Sequence, residues 1–317
     1  MPFQRLRRAF LVAACASSAL LAACGGGDVE SQLSPSRIVL FGDAFSDLGQ
    51  RGSRYTINDG SVNVWAAQVA AGYGKPLATA ASGGLAYATG SARIASQPDA
   101  AGNASTPTVT QQVDTFLAAN TIGSEDLVIV SGGVGDVVAE VAKVLAGTQT
   151  EDQAFANLRQ AGRDLGAQAR RLVQAGGKHV VVVGTYNLGK SPWAISTNRE
   201  NLLEVASSRF NEEMLVSIVD LGSNVLYVDA AFYLNLVTNS PSAYKFEDST
   251  TVVCTSVDPG PGIGIGAGQV NSALCNSSTI AAGLDPERFI FADRVYLTPT
   301  AARLLGDYAY DRIRQRW

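Results

Sequence analysis

Four short apolar runs, each preceded or followed by a stretch long enough for a helix, constrain this chain more than any other feature. They are residues 37–42 (RIVLFG), 126–131 (DLVIVS), 178–184 (KHVVVVG) and 224–229 (NVLYVD). The hydrophobicity in them is continuous rather than alternating. That pattern suits strands covered on both faces, as in a parallel sheet flanked by helices. Helical patterns lie between them, over 62–71, 107–119, 151–175 and 201–221. In the third, Leu158, Leu165, Ala169 and Leu172 recur at helical spacing. The last helix is predicted to open at Thr298-Pro299, a cap followed by proline in the first turn. It carries Ala301, Leu304, Leu305 and Tyr308 along one face. Alternating strands and helices predict a three-layer, doubly wound α/β sandwich with a parallel sheet. In such a fold the site lies beyond the C-terminal ends of the strands. Residues 37–317 are expected to form one domain.

The first 23 residues are expected to lie outside the fold. Arg5, Arg7 and Arg8 precede an apolar run from Ala9 to Ala23, which is too short for a stable membrane span. It ends in Leu21-Ala22-Ala23-Cys24, followed by three glycines. This resembles a bacterial lipoprotein signal. The resemblance implies cleavage before Cys24, acylation of Cys24 and a lipid anchor; an ordinary secretory signal cut nearby is the alternative. Gly25, where an aspartate would retain a lipoprotein at the inner membrane, points by the same resemblance to the outer membrane. Residues 24–36 read as a flexible tether.

Cleavage there removes three arginines and no acidic residue, taking the net charge from −4 to −7. An acidic chain without a basic run argues against nucleic-acid partners. Cys254 and Cys275 lie in an exported, oxidising context and are expected to form a disulfide, with two free thiols as the alternative. With a single histidine, His179, and no close cysteine pair, neither a metal site nor a cofactor is expected. The stretch 258–268 (DPGPGIGIGAG) lacks the strand–helix context of a phosphate loop and reads as a surface loop between the two cysteines.

The first strand runs directly into Gly42-Asp43-Ala44-Phe45-Ser46-Asp47-Leu48-Gly49. Further on come Ala86-Tyr87-Ala88-Thr89-Gly90-Ser91-Ala92, then Gly132-Gly133-Val134-Gly135-Asp136, then Asp293-Arg294-Val295-Tyr296-Leu297-Thr298-Pro299. In this order the blocks resemble those of the GDSL/SGNH esterases and lipases. That family reads Gly-Asp-Ser-x-Ser-Asp-x-Gly, a glycine block, Gly-Gly-x-Asn-Asp and Asp-x-x-His-Leu-Thr-Pro. The resemblance covers about residues 37–315 and implies an SGNH-hydrolase (flavodoxin-like) fold. It places Ala44 at the nucleophile position, Tyr296 at the base position and Asp293 at the retained acid. The oxyanion positions fall on Ala44, Gly90 and Gly135, the last where the family has asparagine.

Ester cleavage of this kind needs a hydroxyl activated by an imidazole that a carboxylate orients. Ala44 has no hydroxyl. Tyr296 has an ordinary pKa of about 10 and cannot serve as base near neutral pH. Gly135 has no carboxamide. In a serine hydrolase, losing the nucleophile or the base costs about 10⁶ in turnover, and losing an oxyanion side chain about 10²–10³.

The expected function is therefore that of a catalytically inactive member that binds an acyl ester or a glycan in the former cleft. One alternative is an active esterase acting through Ser46 and Tyr296. Another is a structural envelope lipoprotein with the cleft filled. Ser46 otherwise reads as a helix N-cap, His179 as a structural residue at the far end of its strand, and Trp65 and Tyr87 as packing. If the scaffold is intact, restoring Ala44→Ser, Gly135→Asn and Tyr296→His together is expected to raise ester hydrolysis.

Overall fold

In the computed structural model, which describes Ser31 and residues 33–317, the four apolar runs form one parallel sheet. Strands β1 (Ile38–Phe41), β2 (Leu127–Ser131), β3 (His179–Val183) and β4 (Val225–Tyr227) are ordered β1-β2-β3-β4. The register aligns Phe41 with Val130 and Ser131 with Val183. Every residue of β1 and β2 is buried, as continuous hydrophobicity requires when both faces are covered. Ala86 bridges to Leu40 on the free side of β1. The expected signal peptide, Cys24 and the first part of the expected tether lie outside the described residues. The tether ends earlier than expected: Leu33 packs into the core and the Ser36 N–H donates to the Glu125 carbonyl.

The helices are α1 (Trp65–Gly72), α2 (Val109–Ala119), α3 (Val134–Leu145), α4 (Glu151–Gln174), α5 (Pro192–Thr197), α6 (Glu200–Ile218), α7 (Ala230–Asn239) and α8 (Pro299–Arg316). Helix α4 packs along α6 and also against α2 and α3; α8 packs along α1 and touches α7. Local chemistry sets the starts. Thr108 with Gln111, and Thr150 with Gln153, form capping boxes at α2 and α4, each satisfying two otherwise orphaned N–H groups. Thr298 caps α8 ahead of Pro299. Among the described residues no helix is long and apolar enough to cross a membrane.

Cys254 and Cys275 are joined in a disulfide. It closes an excursion between α7 and α8 that carries the short antiparallel pair β5 (Val257–Asp258) and β6 (Gln269–Val270). The two cysteines sit in a small core of their own with Ile57, Val253 and Phe289. Closing a loop of this length stabilises a chain by about 3 kcal/mol.

Candidate active site

The first block leaves the sheet at the C-terminal end of β1. Gln112 on α2 clamps the departure point: its Oε1 accepts the Gly42 N–H at 2.9 Å and its Nε2 donates to the Gly42 carbonyl at 2.9 Å. A Cβ at position 42 would lie 2.5 Å from Ser131 Oγ, so glycine lets the two strand ends approach. Asp43 then ties the first block to the third. Its Oδ1 accepts the Phe45 N–H at 3.0 Å and its Oδ2 accepts the Gly135 N–H at 3.1 Å.

Ala44 follows in a tight turn and is 3 % exposed. Its N–H, the first expected oxyanion donor, has no acceptor among the described residues. Gly90, the second, is already engaged: its N–H donates to Asp47 Oδ2 at 2.8 Å. Asp47 Oδ1 also accepts the N–H groups of Gly49 and Gln50, both at 2.8 Å. Tyr55 lies over Gly90, where an added Cβ would be 2.3 Å from the Tyr55 ring. The third position, Gly135, lies in the first turn of α3. Here an added Cβ would be 2.1 Å from the Ala92 carbonyl oxygen. The position thus lacks not only the carboxamide but the space for a side chain, which corrects the expectation that asparagine could simply be put back.

The fourth block brings Asp293 and Tyr296 to the same end of the sheet. Asp293 is completely buried. Its Oδ1 accepts the N–H groups of Val295 (2.8 Å) and Tyr296 (2.7 Å), and its Oδ2 accepts the Ser272 N–H at 2.9 Å. The retained acid therefore shapes its own turn and ties it to the disulfide-closed excursion. Tyr296 is 1 % exposed, and its ring centroid is 5.1 Å from that of Tyr55. Beside them, Tyr186 donates its hydroxyl to the Val295 carbonyl at 2.6 Å and stacks on Phe45 at 5.7 Å. Burial, and then the nearby Asp43 carboxyl, push the Tyr296 phenol well above its ordinary pKa. It stays protonated near neutral pH. The Tyr296 hydroxyl has no hydrogen-bond partner among the described residues, a costly arrangement for a buried group. Tyr296→Phe is accordingly expected to raise the unfolding free energy by about 1 kcal/mol, read by urea titration; a loss of that size would mean that the hydroxyl is satisfied.

The remaining candidates fall elsewhere. Ser46 is completely buried; its Oγ lies 2.7 Å from Ser131 Oγ and accepts from Trp65 Nε1 at 3.0 Å. It joins turn, strand and helix instead of capping a helix, since α1 begins only at Trp65. His179 is at the opposite end of the sheet, edge-on to Trp317 at 5.1 Å. Tyr87 packs on Phe41 and Phe116.

A second buried polar cluster lies behind the site. Asp136 accepts the Ile94 N–H at 2.9 Å, Arg93 lies 3.3 Å from Asp136 and 2.6 Å from Glu140, and Glu140 also meets Lys143, Gln149 and Asn157. Burial raises Asp136 to about 6 against the pull of Arg93, and raises Asp47 to about 6 against its backbone donors. Burial also raises Asp43 and Asp293. For Glu140, burial is outweighed by the bonds from Lys143, Asn157 and Gln149, and the carboxyl falls to about 2.

These shifts fix a pH profile. Between about pH 4 and pH 6 the folded chain holds protons on Asp47 and Asp136 that the unfolded chain releases, so stability falls as pH rises through that window. Glu140 acts oppositely, adding stability as pH rises from about 2 to about 4.5. Urea unfolding is expected to show greatest stability near pH 4.5. Asp136→Asn should flatten the fall between pH 4.5 and 7 by on the order of 1–3 kcal/mol; an unchanged slope would rule out this source.

Among the side chains that close the site, sequence reasoning missed Tyr55 and the Asp47–Gly90 bond. Asp47 stood inside the first block, which was a signal; Tyr55 stood in no block. A family model, GDSL-like Lipase/Acylhydrolase, matches residues 38–309. The chain is also 26 % identical over 159 residues to a Pseudomonas putida protein described as an uncharacterized protein in the trpE-trpG intergenic region. That match takes in 50 % of this chain and 25 % of the relative, so the chain spans about a quarter of the relative's length. The match to the family model runs from β1 into α8 and takes in all four blocks: the chain belongs to the GDSL-like lipase/acylhydrolase family.

Proposed function

We propose that this chain is a catalytically silent member of its family, exported and held at the outer membrane through an acylated Cys24. In this reading the hydrolase fold serves as an envelope scaffold. The observation that carries it is the pair of tyrosines in the former catalytic position. Tyr296 is buried where the base would stand, and it packs on Tyr55, which covers Gly90. No hydroxyl stands at position 44, and Asp47 holds one of the two backbone donors that would steady an oxyanion. This packing favours a filled cleft over the acyl-ester or glycan ligand expected there from sequence. It also argues against an esterase that uses Ser46, because that hydroxyl is enclosed between Trp65 and Ser131.

The anchor rests on the leader sequence. Mass spectrometry of the mature N-terminus is expected to find a lipid-modified Cys24; an unmodified N-terminus at another residue would replace the anchor with simple secretion. The catalytic half is tested by ester turnover and by a fluorophosphonate probe on the wild-type protein, and neither is expected to rise above a denatured control.

A further inference from the structure

The outer side of the Asp293–Tyr296 loop borders a groove of about 430 Å³, away from the tyrosine-filled position. Helix α5 forms one wall with Pro192 and Ile195, and the disulfide-closed excursion forms the other with Val252, Cys254 and Val270. Arg294 lies in the same lining and is half-buried. Its backbone is fixed, since its carbonyl accepts the Trp193 N–H at 3.0 Å. Its guanidinium makes no hydrogen bond or ion pair among the described residues. Asp248, the carboxylate nearest to Thr250 in sequence, is taken up by the N–H and hydroxyl groups of Thr250 and Thr251.

A guanidinium with no partner among the described residues, set beside the apolar side chains of Pro192, Ile195, Val252 and Val270, is complementary to one anionic group carried on an apolar body. The volume is in the range of small-molecule sites. A peptide fits less well, because its backbone N–H and C=O groups would each need a partner. Beyond Arg294 the walls offer only the hydroxyls of Ser196 and Thr250 as polar side chains. We propose that this groove binds a small amphiphilic carboxylate, of the class of a medium-chain fatty-acid anion, with its head on Arg294 and its chain between Ile195 and Val270. The site is separate from the former catalytic position and stands whether or not that position is silent.

The test is calorimetric titration of the mature protein with decanoate. Saturable one-site binding is expected, weakened by about tenfold or more in Arg294→Gln, as loss of a charge-assisted hydrogen bond implies. Arg294→Lys should recover part of it. Ile195→Asp, placed on an exposed helix surface, should weaken it comparably while leaving the guanidinium in place. Decyltrimethylammonium, with the same chain and the opposite charge, should not bind. Tyr55→Ala, which opens the old catalytic position, should leave decanoate affinity unchanged. Absence of saturable binding, an affinity indifferent to Arg294→Gln, or preference for a peptide ending in a free carboxylate would each overturn the proposal.

Discussion

Gly135→Asn is expected to destabilise the protein by at least about 3 kcal/mol, the upper part of the range for overpacking a filled site. An added Cβ would be 2.1 Å from the Ala92 carbonyl oxygen, 3.1 Å from its carbon and 3.3 Å from the Ser91 carbonyl oxygen. All three contacts are backbone, so no side chain can swing aside. Moving α3 away instead would stretch the bond from the Gly135 N–H to Asp43 Oδ2, and with it the link between the first and third blocks. Gly135→Ala meets the same collision and should cost nearly as much. Urea unfolding of the two variants checks this. If alanine is tolerated with a loss below about 1 kcal/mol, the 91–92 segment yields easily and the position could hold a side chain after all. The consequence reaches beyond stability. The missing asparagine is not an isolated deletion of one donor, because the neighbouring backbone occupies the space its side chain would need.

The second large effect concerns partial restoration. Ala44→Ser with Tyr296→His returns a hydroxyl and an imidazole to a turn where Asp293 remains buried and bonded to the N–H groups of residues 295 and 296. Exchange of tyrosine for the smaller imidazole also removes the ring that packs on Tyr55. The double variant is expected to hydrolyse p-nitrophenyl butyrate above the wild-type background. It should remain about 10²–10³-fold below a site with its oxyanion side chain, since the carboxamide is absent and the Gly90 N–H is directed at Asp47. Adding Gly135→Asn should lower the activity recovered per mole of protein, contrary to the expectation from sequence that all three changes work together. A triple variant that folds as well as the double one and exceeds its rate would show that the space at Gly135 is not limiting.

The sheet was legible because each strand is a continuous apolar run, and a run of that kind has few places to go other than a two-sided interior. The long helix α4 was legible from the helical spacing of Leu158, Leu165, Ala169 and Leu172, and the pattern over 201–221 located α6. Helix α3 was not, although Asp136, Glu140 and Lys143 recur along it at helical spacing, because its first turn fell inside the Gly132–Asp136 block and was read for that block alone. Helix α7 was missed where Asp229, read as a strand end, caps it by accepting the Phe232 N–H. Within the site, block order placed Ala44, Gly90, Gly135, Asp293 and Tyr296 at one end of the sheet. What order could not give were the contacts between blocks. Tyr55 over Gly90, Asp47 on the Gly90 N–H and Ala92 against Gly135 join segments remote in sequence and leave no periodic trace. Those contacts bear on whether the old cleft is open, and they are the ground for proposing a filled cleft in place of the ligand cleft expected from sequence.

A catalytically silent member, as proposed, carries no ester-cleaving nucleophile. Treatment of folded wild-type protein with a fluorophosphonate probe, followed by peptide mass spectrometry and a parallel p-nitrophenyl butyrate assay, tests it most directly. No site-specific adduct is expected, and turnover should equal that of the denatured protein. A stoichiometric adduct on one residue, Ser46 included, with turnover that disappears when that residue becomes alanine, would contradict it.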